Sequence, residues 1–123
     1  MKNTKKLLSN VKPSLLHGDL WSGNVLFDKS GEPCLIVPFC YFGHSESYIA
    51  MTHLFGRFGR GFYDTYFEFI PRAHGFDQRI KVYQLYYLLV HLNLFGRAYR
   101  DSVVKTVRIL LKVLRHTALI KNE

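Results

Sequence analysis

Cysteine is scarce in this sequence: Cys34 and Cys40 are the two present among 123 residues. Two thiols this close make no disulfide framework, and their spacing completes no zinc pattern. Both are therefore expected to be buried, free thiols in a reducing compartment. Long apolar runs are missing too. Gln84, His91 and Asn93 interrupt the longest candidate, well short of the ~18–20 apolar residues that cross a bilayer. Met1 to Ser14 is basic and polar without an apolar stretch, which excludes a secretory signal and predicts a cytoplasmic protein with no membrane partner. Repeats and low-complexity segments are absent as well. With 48% hydrophobic and 21% charged residues, the composition excludes disordered and fibrous classes. The length is that of one ordinary domain, which buries roughly two-thirds of its unfolded surface.

Acid is the minority sign. Seventeen Lys and Arg face nine Asp and Glu, for a net charge of +8 and a pI near 9.7, a balance that invites a nucleic-acid partner. The distribution argues against one. Residues 1–12 carry four lysines and no acid (+4), residues 97–123 carry seven bases and two acids (+5), and residues 13–96 carry six bases and seven acids (−1). The excess lies at the two ends, in a basic tail over 1–12 and beyond residue 96. Lys105, Arg108, Lys112 and Arg115 recur three or four residues apart, making one helical stripe that reads as a solvated face.

Between the ends the pattern predicts an order of loop, hairpin and about four helices over residues 13–123. Val25-Leu26-Phe27 and Cys34-Leu35-Ile36-Val37 flank the turn-rich Asp28-Lys29-Ser30-Gly31-Glu32-Pro33, a hairpin with a longer loop. Ile49, Ala50, His53 and Leu54 suit a helix ending near Gly56, and Phe62, Tyr66 and Phe69 suit another stopped by Pro71. Between these two helices, Gly56-Arg57-Phe58-Gly59-Arg60-Gly61 reads as a turn, without the spacing of a phosphate-binding loop. Asp77 is placed to cap a helix running to Gly96 that is apolar on nearly every side and hence expected to be buried. Asp101 or Ser102 is placed to cap a last helix with the stripe Val103, Val107, Leu110, Leu114 and Ala118. The fold class is α+β, mostly helical.

The chemistry is concentrated in Leu16-His17-Gly18-Asp19-Leu20-Trp21-Ser22-Gly23-Asn24, just ahead of the first hairpin strand. An acid with His two residues before it and Asn five after it matches the frame of a kinase catalytic loop. In that frame Asp19 accepts the proton of an attacking hydroxyl. Asn24 offers its carbonyl oxygen to a magnesium ion on the phosphates. Gly18 and Gly23 let the backbone turn tightly enough for both side chains to face one cleft, and His17 braces the loop by hydrogen bonding. Trp21 suits either stacking on a sugar ring or packing as an ordinary aromatic. His44 and His91 read as structural hydrogen-bonders, and the Tyr and Phe residues of 62–95 as core.

The octapeptide His17-Gly18-Asp19-Leu20-Trp21-Ser22-Gly23-Asn24 resembles the signature of the fructosamine-3-kinase and ketosamine-3-kinase family. Tyr41-Phe42-Gly43-His44, Leu54-Phe55-Gly56, Gly61-Phe62-Tyr63, Tyr83-Gln84-Leu85-Tyr86 and His91-Leu92-Asn93-Leu94-Phe95-Gly96 extend the resemblance over about Val11 to Lys112. It implies the C-terminal lobe of a protein-kinase-like fold of the aminoglycoside-phosphotransferase type. It also implies ATP and Mg2+ as cofactors, and phosphorylation of the third hydroxyl of a sugar attached to an amine, regarded as protein deglycation. By the same resemblance Asp19 is the catalytic base, Trp21 a substrate contact, His17 a loop brace and Asn24 a metal ligand.

Three departures from that family are visible. The sixteen residues before His17 leave no room for an N-terminal lobe with its phosphate-covering loop and ATP-binding Lys, which points to a truncated chain or to a separate polypeptide supplying that lobe. Val37, in Ile36-Val37-Pro38, stands where the family places a metal-binding Asp, so one anionic ligand is missing. Tyr48 stands where the family has an acid that helps hold the catalytic loop. These departures predict impaired kinase activity by the chain alone. A non-catalytic interaction module or a decayed pseudokinase fragment is the first alternative, and a nucleic-acid-binding protein the weaker second.

Overall fold

Four three-residue strands and four helices make up the computed structural model, which describes residues 8, 11–56 and 58–119, with side chains through residue 115. Apart from residues 8, 11 and 12, the basic tail of 1–12 lies outside the described residues. The chain divides into two compact units, one over Val11–His74 and one that takes in the chain from Gly75 onward.

In the first unit, β1 (Ser14–Leu16) pairs antiparallel with β4 (Tyr41–Gly43), Leu15 opposite Phe42. A short 3-10 turn (Ser22–Asn24) leads into the hairpin of β2 (Val25–Phe27) and β3 (Pro33–Leu35), with Leu26 opposite Cys34. Asp28 builds the hairpin turn. Its Oδ1 accepts the amides of Ser30 at 2.7 Å and Glu32 at 2.9 Å, and its own amide donates to the Glu32 carbonyl at 2.9 Å. An Asp side chain that mimics a backbone turn in this way is why the segment folds back.

Two helices complete the unit. In α1 (Ser45–Leu54), Ile49, Ala50 and Thr52 are fully buried. Thr52 Oγ1 donates to the Ile49 carbonyl at 2.9 Å and accepts the hydroxyl of Tyr63 at 3.1 Å. That second bond ties α1 to α2 (Arg60–Phe69), whose one buried residue is Tyr63. Gly56, Phe58 and Gly59 lie between these helices as expected, whereas Arg60 and Gly61, read as part of the same turn, open α2. Pro71 follows two residues after α2 ends, where it bars continuation of the helix.

The second unit is a helical hairpin. In it α3 (Phe76–Phe95) and α4 (Arg100–Leu119) are joined by the 3-10 turn Gly96–Tyr99. Left-handed Gly75, at φ +80°, turns the chain into α3 two residues earlier than expected. Asp77 therefore stands in the first turn and makes no cap; there its charge favours the helix dipole. Asp101 likewise stands within the first turn of α4. The expectation that α3 is buried all round is corrected. Burial follows one stripe at three- and four-residue spacing, Phe76, Arg79, Ile80, Gln84 and Leu88, while Tyr86, Leu89, Leu94 and Phe95 are exposed. On α4, Thr106 and Leu110 are buried and Lys105, Arg108, Lys112 and Arg115 are exposed, so the basic stripe is a solvent face.

The cysteines also need correction: Cys34 and Cys40 are free but exposed, not buried. Cys34 sits on a two-stranded hairpin whose burial pattern is exposed throughout β3, and Cys40 just before β4. No helix among the described residues is long and apolar enough to cross a membrane. The architecture is α+β and mostly helical.

Candidate functional site

Leu16 and Leu20 are both buried, and they pin the loop that carries Asp19 from either side. Between them Gly18 adopts φ +89°, and a Cβ there would fall on the Phe39 carbonyl. Only glycine accepts both the left-handed backbone and that approach. The chain then passes Trp21, whose ring lies where a side chain on Gly23 would have to go. Trp21 is 40% exposed, so it packs against Gly23 and stays partly accessible.

The 3-10 turn brings Asn24 back beneath Asp19, closed by the Asn24 amide donating to the Trp21 carbonyl at 2.9 Å. Asn24 is buried. Its Nδ2 donates to both the main-chain carbonyl and Oδ2 of Asp19, each at 2.8 Å. With the amino group committed to Asp19, Asn24 Oδ1 accepts no hydrogen bond from the described residues and is the amide's free oxygen donor. The structure thus brings together the acid and the amide that the sequence pairs.

Position 37 lies between two main-chain tethers to the loop. Ile36 donates to the Asn24 carbonyl at 3.0 Å, and Phe39 to the His17 carbonyl at 2.6 Å. Between the tethers Val37 adopts φ +54°, the left-handed region that β-branched residues avoid. Its side chain is 58% exposed.

His17 also lies at the loop, but its main chain makes the hydrogen bonds: the carbonyl accepts from Phe39, and the amide donates to the Tyr48 hydroxyl at 3.0 Å. Its two ring nitrogens are buried with no hydrogen-bond partner among the described residues. Burial pushes the Tyr48 phenol up to about 12, Cys40, Tyr41 and Asp19 adding to the rise and the His17 amide opposing it. His44 Nε2 lies 3.9 Å from Glu46 Oε1, and His91 Nδ1 lies 2.9 Å from the Tyr87 carbonyl. Sequence reasoning missed Tyr48 as a partner of the loop and missed both tethers. The β1–β4 pairing that brings them together joins strands too short to show a period.

A magnesium ion demands near-octahedral oxygen coordination and is commonly held by one or two carboxylates with substrate phosphates. This chain offers one carboxylate, on Asp19, with one oxygen already hydrogen-bonded, and the amide oxygen of Asn24. The third position holds valine. No group of three His, Cys, Asp or Glu side chains suited to a metal occurs among the described residues. The residues present therefore do not fit a magnesium site of this chain's own making. What they do form is a carboxylate hydrogen-bonded to a buried amide.

A family model described as fructosamine kinase matches residues 1–113. The chloroplastic protein-ribulosamine 3-kinase of Arabidopsis thaliana is 43% identical over 117 residues, 94% of this chain and 36% of that protein. Mouse ketosamine-3-kinase is 45% identical over 102 residues, 83% of this chain and 33% of that protein. A crystal structure from Thermobifida fusca YX-ER1 superposes with a TM-score of 0.73 at 39% identity, covering 90% of this chain and 39% of that one. The chain spans about a third of the length of the curated relatives it matches.

Proposed function

The chain belongs to the fructosamine kinase family, as the C-terminal lobe of a kinase-like fold, and from that premise we propose that it carries the acceptor-activating half of an ATP-dependent sugar kinase acting on glycated amines. One observation supports this above the rest: the Asn24 amide holds Asp19 by its main-chain carbonyl and its carboxylate at once. In the proposed reaction a sugar hydroxyl gives its proton to the Asp19 carboxylate while its oxygen bonds to the γ-phosphorus of ATP. The bond from that phosphorus to the bridging oxygen breaks, and ADP leaves. Trp21 offers its partly accessible ring to the sugar, and the main chain of His17 holds the loop. Kinase-family membership supports the use of ATP. The nucleotide-side contacts are assigned to polypeptide beyond these 123 residues, in the relatives' longer chains or in a separate N-lobe.

Val37 sets the expected rate. A carboxylate missing from a metal-assisted phosphoryl transfer forfeits several kcal/mol of charge stabilisation, and ~4 kcal/mol corresponds to about a thousandfold in rate. The test uses the chain and its Val37→Asp variant with ATP, Mg2+, fructosyl-lysine and the N-terminal lobe of a relative added in trans, with the product followed by 31P NMR. The expected result is sugar phosphate from the Val37→Asp mixture and its loss when Asp19→Asn is added. Transfer indifferent to Asp19→Asn, or none in any mixture, overturns the catalytic reading.

A second reading, a non-catalytic interaction module, draws on Leu15, Phe27, Phe39 and Phe42, large apolar side chains left exposed around the strands. A clean monomer in size-exclusion chromatography counts against it.

A further inference from the structure

Tyr48 sits in α1, 24 residues beyond the last residue of the loop motif, yet its hydroxyl accepts the amide of His17 at 3.0 Å. The same residue's carbonyl accepts the Phe39 amide. Both main-chain polar groups of His17 are thereby committed, one to α1 and one to the segment entering β4. The next residue is Gly18 at φ +89°, and the one after that is Asp19. A chain gripped at its last ordinary residue and forced through one glycine conformation has little freedom left at the carboxylate.

We propose that Tyr48 is a positioning residue of the site: its hydroxyl, by holding the His17 amide, fixes the backbone from which Asp19 projects toward Asn24. This deepens the reading of Asp19 as a proton acceptor and rests on it. Tyr48 stands where the resembled family has an acid that helps hold the loop. A phenol reaches the amide as a neutral acceptor. Burial keeps it protonated up to about pH 12, so it braces the loop without adding a second negative charge beside Asp19. A carboxylate in its place makes a stronger, charge-assisted bond but repels the Asp19 carboxylate and disfavours its ionised form. Tyr48 exchanges strength of grip for neutrality. The neighbouring Tyr41 and Cys40 also act on the phenol electrostatically, and neither hydrogen-bonds the His17 amide, which is taken by Tyr48.

The test is amide hydrogen exchange by NMR on the 123-residue chain and its Tyr48→Phe variant, which keeps the ring and removes only the hydroxyl. The His17 amide is expected to exchange about tenfold faster in the variant, the change a lost hydrogen bond of this kind produces. The Asn24 side-chain amide protons are expected to speed up with it, while the Ile49 and Ala50 amides of α1 hold. An unchanged His17 amide overturns the proposal. So does a His17 amide that accelerates only in step with Ile49 and Ala50, the pattern of a merely structural tyrosine. Should Tyr48→Phe fail to fold, a fluorinated tyrosine at position 48 has a more acidic phenol and retains the hydroxyl. The His17 amide nitrogen shift must then follow the ionisation of that phenol, and a shift that does not follow it overturns the proposal. Neither readout depends on phosphoryl transfer, so a failure at Tyr48 is distinct from a failure of Asp19 in the kinase assay.

Discussion

Replacing Val37 separates two consequences of one residue. Its backbone at φ +54° lies in the left-handed region, which costs a residue with a Cβ roughly 1–2 kcal/mol and is most tolerable for Gly, Asn and Asp. Threonine at this position keeps the β-branch, whereas asparagine removes it and adds polarity of similar extent. The side chain is 58% exposed, so both substitutions lose the same modest apolar contact, and that loss cancels in the comparison. Val37→Asn should therefore be more stable than Val37→Thr by about 1 kcal/mol. With an m-value of ~2 kcal/mol/M in urea, the midpoint rises by about 0.5 M. Val37→Asp should share the conformational gain and add a carboxylate beside the free Asn24 Oδ1, giving magnesium a second anionic ligand. Stability of the aspartate variant should then rise with Mg2+, by ~1.4 kcal/mol at ten times its dissociation constant, while the asparagine variant stays flat. The assay is urea denaturation of the three variants with and without Mg2+, with calorimetry of the metal titration. An asparagine variant no more stable than the threonine variant refutes the strain. An equal magnesium response in all three refutes the placement of residue 37 next to Asn24.

Two other substitutions test the loop and the hairpin. Gly18→Ala should destabilise the chain by about 2 kcal/mol or more, since it pairs a left-handed φ with a collision at the Phe39 carbonyl; a urea midpoint within error of the parent contradicts this. The amides of Glu32 and Ser30 hold the Asp28 carboxyl below its ordinary value of 3.8, so its contribution to the hairpin is present above that value and lost as pH falls through the lowered one. Exchange of the Ser30 and Glu32 amides should therefore quicken in that acid window in the parent, and Asp28→Ala should show no such pH step.

Legibility in the sequence followed the range over which each signal acts. Local punctuation was readable: the hairpin between Phe27 and Pro33 follows from Asp28 and Gly31, the end of α2 from Pro71, and the end of α3 from Gly96. That Asp19 and Asn24 face one place was readable from the spacing of the kinase frame, but the hydrogen bond between them was not, Asn24 having been read as a metal ligand. What crosses the chain was not readable either. Ser14–Leu16 and Tyr41–Gly43 are too short to show alternation, and their pairing is what brings Phe39 to His17 and sets Tyr48 beneath the loop. Sidedness failed for a related reason. A helix as apolar as Phe76–Phe95 predicts burial from composition, but burial depends on how many neighbours cover it, and here only one stripe is buried. The thiols erred the same way: Cys34 belongs to a strand exposed at every position.

The physical roles of the loop residues also decide which positions report on activity. Gly18 is required by the Phe39 carbonyl, Leu16 and Leu20 are buried, and the buried Asn24 must find partners for its amide, which Asp19 supplies. These residues serve the fold whether or not phosphate is ever transferred, because a buried unsatisfied amide costs about 1–3 kcal/mol on its own. Their presence therefore discriminates poorly between a working kinase lobe and a binding module built on the same frame. Tyr48 holds the main chain of the loop through its hydrogen bond from the His17 amide. Position 37 is different. It is exposed, its side chain satisfies no partner, and valine is held there in a backbone conformation that disfavours it. The structure gives valine no advantage at 37, and an aspartate there should suit the backbone better. The choice between catalysis and binding thus turns on residue 37 together with Asp19, and the Val37→Asp variant, measured with Asp19 intact and with Asp19→Asn, separates the two.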